Sequence, residues 1–112
     1  DNFKEIIRYS DGIIIARGDL IPECGLINSV DKEFDLLLKV KKYEKEKAVI
    51  IATHILDNMR KGIIPNINEL ESIYTFVNLG VTGFLLASET SIGNYPVKSV
   101  EMLKMLINLY KK

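Results

Sequence analysis

Two rhythms of apolar and polar positions take turns along this chain. Ile13, Ile14, Ile15 and Ala16 follow one another without a polar break, as do the runs AVIIA at 48–52 and GFLLA at 83–87. Strands that carry apolar side chains on both faces belong to sheets covered on both sides, the usual setting of parallel strands. Between these runs the spacing lengthens to that of a helix. Phe3, Ile6 and Ile7 predict a short helix over residues 2–9, with Glu5 three residues after Asn2 as in a capping box. Residues 20–29 contain Pro22, Gly25 and Asn28 and read as a loop. From Val30 to near Glu46, Val30, Phe34, Leu37 and Leu38 form the apolar arc of a longer helix, with Asp35 and Lys39 ordered for an i,i+4 pair. Ile55, Leu56 and Met59 predict one or two helical turns ending at Gly62 and Pro65. Asn66 and Asn68 each precede a glutamate by three residues, so either can cap a helix with the arc Leu70, Ile73, Tyr74 and Val77, closed by Gly80. Pro96 suits the first position of a last helix, whose arc is Val100, Leu103, Ile107 and Tyr110.

Strand and helix thus alternate three times in one domain, or part of one, spanning residues 1–112, an α/β pattern with a strand about every 35 residues. A barrel of eight strand-and-helix units needs roughly 31 per unit. Each strand ends in polar residues: Arg17-Gly18-Asp19, Thr53-His54 and Ser88-Glu89-Thr90. Ligands bind at the carboxyl ends of parallel strands, where neighbouring strand ends converge on one mouth. For Asp19 the plain alternative is that it caps the segment after its strand.

Composition removes several function classes. Fifteen Lys and Arg against fifteen Asp and Glu leave a formal net charge of zero, so no field draws in nucleic acid or an anionic membrane. The charged run KVKKYEKEK mixes both signs, as a solvated helix face does. One cysteine, Cys24, makes no internal disulfide, and with one histidine there is no structural zinc set. This implies a reducing compartment. No apolar run approaches the roughly 20 residues of a membrane span. The first residues, DNFKEII, lack both a signal peptide's pattern and an initiating Met, as expected of a processed chain or a segment of a longer one.

The stretches DGIIIARGDL, AVIIATHIL and GFLLASETSIGNYP resemble, in order and spacing, the DGI-x-VARGDLG, PVICATQML and CIMLSGETAKGDYP of the pyruvate kinase family. The resemblance implies the last three units of a TIM (β/α)8 barrel. It implies phosphoryl transfer from phosphoenolpyruvate to ADP in glycolysis, followed by protonation of enolpyruvate, with magnesium and potassium. By position, Asp19 would be a magnesium ligand, and the N–H groups of Gly18 and Asp19 would hold the substrate carboxylate. Thr53 would donate a hydrogen bond to substrate. Arg17 and Glu89 would belong to the orienting shell and the proton-relay region, Thr90 would hold its loop, and Glu23 would help to position the first loop or lie solvated. A cytoplasmic setting and a homo-oligomeric full-length parent follow by the same resemblance. The essential lysine, the second magnesium carboxylate, the nucleotide lid and the potassium site would lie upstream of Asp1, so the isolated chain is expected to be inactive.

The chain also departs from the family pattern. Ala87-Ser88 stands where the family has Ser-Gly, removing one hydroxyl and setting Ser88 on the other strand face if the strand continues that far. His54 replaces a glutamine and Ile21 a glycine, and of the family's TRAE stretch only Glu69 remains, after Asn66, Ile67 and Asn68. These departures keep open a degenerate, non-catalytic relative retained for assembly or regulation. An open doubly wound domain uses the same units but lacks a glycine-rich phosphate loop here. Arg17-Gly18-Asp19 also spells an adhesion tripeptide, yet it closes an apolar run where such function needs an exposed loop tip. His54, without a second histidine, is expected to be packed or hydrogen-bonded instead of metal-bound.

Overall fold

The computed structural model of the chain describes residues 2–111. In order it contains α1 (Phe3–Tyr9), β1 (Gly12–Ala16), α2 (Arg17–Cys24), α3 (Leu26–Tyr43), β2 (Ala48–Ala52), a 3-10 turn (Asp57–Arg60), α4 (Ile67–Asn78), β3 (Gly83–Leu85), α5 (Ser88–Ser91) and α6 (Pro96–Tyr110). Two compact units emerge, one running up to Ala52 with Val81–Phe84, the other formed by Thr53–Gly80 and the residues from Leu85 on.

In the first unit β1 and β2 pair in parallel, from Gly12 opposite Ala48 to Ala16 opposite Ala52. The strand order is β1-β2-β3. Thr82 fastens the approach to β3: its N–H donates to the Val49 carbonyl at 2.8 Å, and its hydroxyl accepts from the Val49 N–H at 3.0 Å. At the head of β1 a Cβ on Gly12 would lie 2.6 Å from the Ala48 carbonyl oxygen, so a side chain there would push the strands apart. Ile15, Val49 and Ile51 of the strands and Leu37 and Val40 of α3 are buried. Lys47 Nζ donates to the carbonyls of Arg8 and Ser10 at 3.3 and 2.5 Å, placing a cation at the negative end of α1.

Three expectations change in this unit. Residues 17–24, expected to run from a strand end into a loop, form α2 despite Gly18 and Pro22. α2 lies against α3, although none of its own residues is fully buried. Gly25, at φ +85°, separates α2 from α3, and α3 therefore starts at Leu26, four residues before Val30. Its buried face is Ser29, Glu33, Leu37 and Val40, while Val30 and Leu38 are 55% and 54% exposed. In α1, Asn2 makes no side-chain capping bond, and of the expected arc only Ile7 is buried. The i,i+4 pair Asp35–Lys39 forms at 3.2 Å.

The second unit packs α4, α5, α6 and the 3-10 turn around Leu56, Met59, Ile73, Phe76, Leu103 and Leu106. Asn66, rather than Asn68, caps α4. Its side chain accepts the Glu69 N–H at 2.8 Å, and Glu69 returns the bond to the Asn66 N–H at 2.9 Å. The other Glu69 oxygen accepts the Asn58 N–H at 2.8 Å, joining the cap to the 3-10 turn. Pro96 opens α6 as expected, but the buried face is Ser99, Leu103 and Leu106, with Val100 turned outward. On α4, Tyr74 is also largely exposed and meets Tyr110 edge to face at 5.3 Å. β3 ends at Leu85, two residues short of the expected strand. Ser88 accordingly belongs to α5 and has no strand face.

Two outcomes are expected. Asn66→Ala removes the side-chain arm of the capping box, leaving the backbone N–H of residue 66 to Glu69, and should lower the unfolding free energy by about 1 kcal/mol, read in chemical melts as a lower midpoint with an unchanged slope. The outer strand β1 presents Ile14, 59% exposed, and an apolar outer strand invites pairing with another chain. The purified 112-residue chain should therefore elute as oligomers in size-exclusion chromatography with light scattering. A monodisperse monomer that melts cooperatively would contradict this.

Candidate functional site

In the first unit the chain passes from β1 directly into α2, so Arg17, Gly18 and Asp19 form the first turn of that helix. The first four N–H groups of a helix have no intrahelical carbonyl to bond, and the helix dipole adds positive potential there. Ala16 supplies no side-chain cap. Asp19 is exposed and, with Glu23, provides the carboxylates of a cavity of about 300 Å³ whose apolar wall includes Ile13, Ile15 and Leu20. Cys24, at the end of α2, donates its thiol to the Leu20 carbonyl at 3.2 Å.

Arg17 faces a residue that no sequence pattern singled out. Glu33 projects from the buried face of α3, with its Oε1 3.8 Å from Arg17 Nε. That distance is an ion pair without a direct hydrogen bond, and Glu33 Oε1 is buried with no hydrogen-bond partner. Burial pushes the Glu33 carboxyl above its ordinary range, and the Arg17 guanidinium pulls it back only in part. An available signal was the spacing of Ser29, Glu33, Leu37 and Val40, which sets an acid within one helical stripe of apolar and small residues.

The second unit begins with a strained corner. Thr53 and His54, directly after β2, have φ of 67° and 56°, in the left-handed region. A non-glycine residue there costs on the order of 1–3 kcal/mol, and such strain clusters at functional sites. For β-branched Thr53 the conformation is a genuine outlier. The Thr53 N–H reaches the Leu85 carbonyl at 3.4 Å. His54 Nδ1 lies 2.7 Å from Asp57 Oδ2, an exposed pair, so His54 is hydrogen-bonded as expected of a lone histidine. Beyond the corner Leu56 is fully buried, and its N–H donates to Glu89 Oε2 at 2.6 Å. Glu89 Oε1 accepts the Ala87 N–H at 3.0 Å. The Thr90 hydroxyl donates to the Ala87 carbonyl at 3.1 Å.

Close packing continues past α5. A Cβ on Gly93 would lie 2.5 Å from the Glu89 carbonyl oxygen and 3.2 Å from Arg60 Cα. The neighbouring Asn94 N–H donates to the Arg60 carbonyl at 2.8 Å. The first unit thus brings together Arg17, Gly18, Asp19 and Glu33, and the second brings together Thr53, His54, Leu56, Ala87 and Glu89. Among the described residues no three His, Cys, Asp or Glu side chains gather as a metal cage, and no helix is long and apolar enough to cross a membrane.

The family model described as pyruvate kinase, barrel domain, matches residues 1–100 of the chain. The chain belongs to the pyruvate kinase family. The pyruvate kinase of Aeropyrum pernix is 39% identical over 111 residues, covering 96% of this chain and 23% of that protein. That of Thermotoga maritima is 36% identical over 105 residues, covering 92% and 22%. The crystal structure of pyruvate kinase from Pyrobaculum aerophilum superimposes with a TM-score of 0.81 at 29% identity, over 96% of this chain and 25% of that one. The parallel strands and alternating helices are thus a segment of a pyruvate kinase barrel, spanning about a quarter of the length of these relatives.

The Arg17–Glu33 pair gives a pH signature. A carboxyl whose pKa is raised by folding binds its proton more tightly in the folded state. Stability contributed through Glu33 is therefore greatest below its unfolded pKa and is lost as pH rises through the raised folded value. Glu33→Gln removes the buried charge and should be more stable than the parent at neutral pH, with the advantage shrinking as pH falls through the carboxylate range. Urea melts between pH 4 and 8 check this, and an advantage that is flat or grows on acidification would refute it.

Proposed function

We propose that this chain is part of the catalytic barrel of a pyruvate kinase, which moves the phosphoryl group of phosphoenolpyruvate to ADP and then protonates the enolpyruvate. The observation that carries the proposal is the chain's own ARGD turn, retained in a chain of this family and folded as the first turn of a helix directly after β1. In this reading the N–H groups of Gly18 and Asp19 receive the substrate carboxylate, which suits the positive end of a helix. Thr53 donates its hydroxyl to the substrate, and Arg17, beside Glu33, orients the groups around Asp19.

Asp19 fits one ligand position of a magnesium ion, because it is an exposed, hard carboxylate oxygen donor lining a cavity. Magnesium is commonly held by one or two carboxylates together with substrate phosphates. When bound, it neutralises charge that develops on the transferring phosphoryl group. The second carboxylate, the lysine and the potassium site are assigned to the greater part of the relatives' length, which this chain does not span. Cytoplasmic residence, homo-oligomeric assembly and the absence of nucleic-acid or membrane partners belong to the same proposal.

Ala87 favours one second reading, a degenerate relative kept for assembly or regulation. The family's serine hydroxyl is missing at that position, and a positioned proton donor or relay is worth about 10² to 10⁴ in rate. A coupled assay of the full-length protein with phosphoenolpyruvate, ADP, magnesium and potassium separates the two. Turnover is expected, with a loss on the order of a hundredfold or more for Asp19→Asn, since a metal clamp supplies several kcal/mol, and none from the isolated 112 residues. Absence of turnover in the full-length protein would favour the degenerate reading, and turnover by the isolated chain would overturn the division of the site.

A further inference from the structure

We infer that Glu89 is a positioning residue: its carboxylate bonds the N–H groups of Leu56 and Ala87 together and so holds the strained Thr53–His54 corner in place. The inference rests on the proposed pyruvate kinase reading for what Thr53 does, but not for the clamp itself. Glu89 is fully buried, and its two oxygens are both engaged, at 2.6 Å with the Leu56 N–H and at 3.0 Å with the Ala87 N–H. Both partners are donors. Each oxygen accepts one of them, so the single carboxylate spans the two amides. Hydrogen bonds from N–H groups to a carboxylate are also short and strong among protein hydrogen bonds.

What the clamp holds is set by its position in the chain. The corner is fixed where it leaves β2 by the Thr53 N–H on the Leu85 carbonyl. It is fixed again three residues later, at Leu56, whose side chain is buried and whose N–H Glu89 receives. Two consecutive non-glycine residues in the left-handed region persist only where their surroundings over-determine them. The other arm of the same carboxylate fixes Ala87, two residues beyond Leu85. One side chain therefore sets the spacing between the segment that approaches Thr53 and the segment that leaves it. Acting through backbone, Glu89 is an anchor and not a carrier of the enolpyruvate proton. In this inference Glu89 takes the orienting role that the family resemblance implies for it.

The test uses the full-length protein with Thr53→Ala, Glu89→Gln and the double change. Glutamine keeps one acceptor oxygen but turns an NH2 group toward a backbone N–H, which opens one arm. Glu89→Gln should lower kcat by about ten- to a hundredfold, the scale of a small misplacement at a reacting centre, with the solvent isotope effect unchanged. In the Thr53→Ala background the same change should cost less than about twofold, because coupled residues are not additive. Independent, multiplying losses would overturn the inference, since a general structural weakening lowers rate whether or not Thr53 is present. So would an isotope effect that changes with Glu89. Hydrogen exchange provides a readout that does not need activity: the Leu56 and Ala87 amides should be slow in the parent, and at least one should be markedly faster in Glu89→Gln. If the parent shows no turnover, the pyruvate kinase reading fails, and unchanged exchange at both amides would separately overturn the clamp. Should Glu89→Gln not fold, Glu89→Asp, one methylene too short to reach both partners, takes its place: faster exchange at either amide supports the clamp, and unchanged exchange at both overturns it.

Discussion

The parallel pairing of β1 and β2 is the constraint on which the first unit depends. It begins where Gly12 has no side chain to strike the Ala48 carbonyl and ends with Ala16 level with Ala52. Small residues at both limits let two short apolar strands lie close, and burial of Ile15, Val49 and Ile51 follows from that closeness. A parallel pair also forces a long crossover, because its strands run the same way. The chain spends that connection on α2 and α3, and so the Arg17-Gly18-Asp19 turn opens a helix. The polar chemistry at the end of β1 is thus a consequence of strand direction.

Two buried glutamates show how differently the fold treats the same charge. Glu89 has one N–H donor for each oxygen, and its desolvation is offset by those bonds. Glu33 has Arg17 at 3.8 Å and a buried oxygen without a hydrogen bond. A pair that is close but not bonded returns less than its burial takes, which is why the Glu33 carboxyl is pushed up in spite of a cationic neighbour. The first has both oxygens bonded, and the second keeps a buried oxygen without a hydrogen bond beside the turn that opens α2.

The strands were legible in the sequence because an unbroken apolar run has few other uses, and the cap at Asn66 was legible because Asn-x-x-Glu carries its own partner. The family motifs marked Arg17, Gly18, Asp19, Thr53 and Glu89 by position. What the sequence did not disclose was how Glu89 is bonded: a motif marks a position, while the donors that surround it come from Leu56 and Ala87, the first of them 33 residues away. The left-handed corner was equally hidden. Nothing in Thr53-His54 resembles a turn dipeptide, and its left-handed backbone is seen only in the fold. α2 was missed for the opposite reason, since Gly18 and Pro22 argue against a helix locally, yet the helix forms beside α3.

The misplaced helix faces have a common physical cause. In α3 the apolar residues do not lie on one stripe: Leu37 and Val40 face the interior beside Ser29 and Glu33, while Leu26, Ile27 and Val30 are more than half exposed. An arc drawn through the greatest number of apolar positions therefore selects the wrong side. The same happens in α6, where Ser99 is buried and Val100 is exposed next to it. Serine fits a buried stripe when its hydroxyl can return to the backbone, as Ser99 does to the Tyr95 carbonyl at 2.8 Å and Ser29 to the Leu26 carbonyl at 2.6 Å. Small residues with a satisfied hydroxyl let a helix approach its neighbour closely, and bulkier Val or Leu would hold it off. Periodicity reports which residues are apolar; size and self-contained hydrogen bonding decide which of the available faces packs inward.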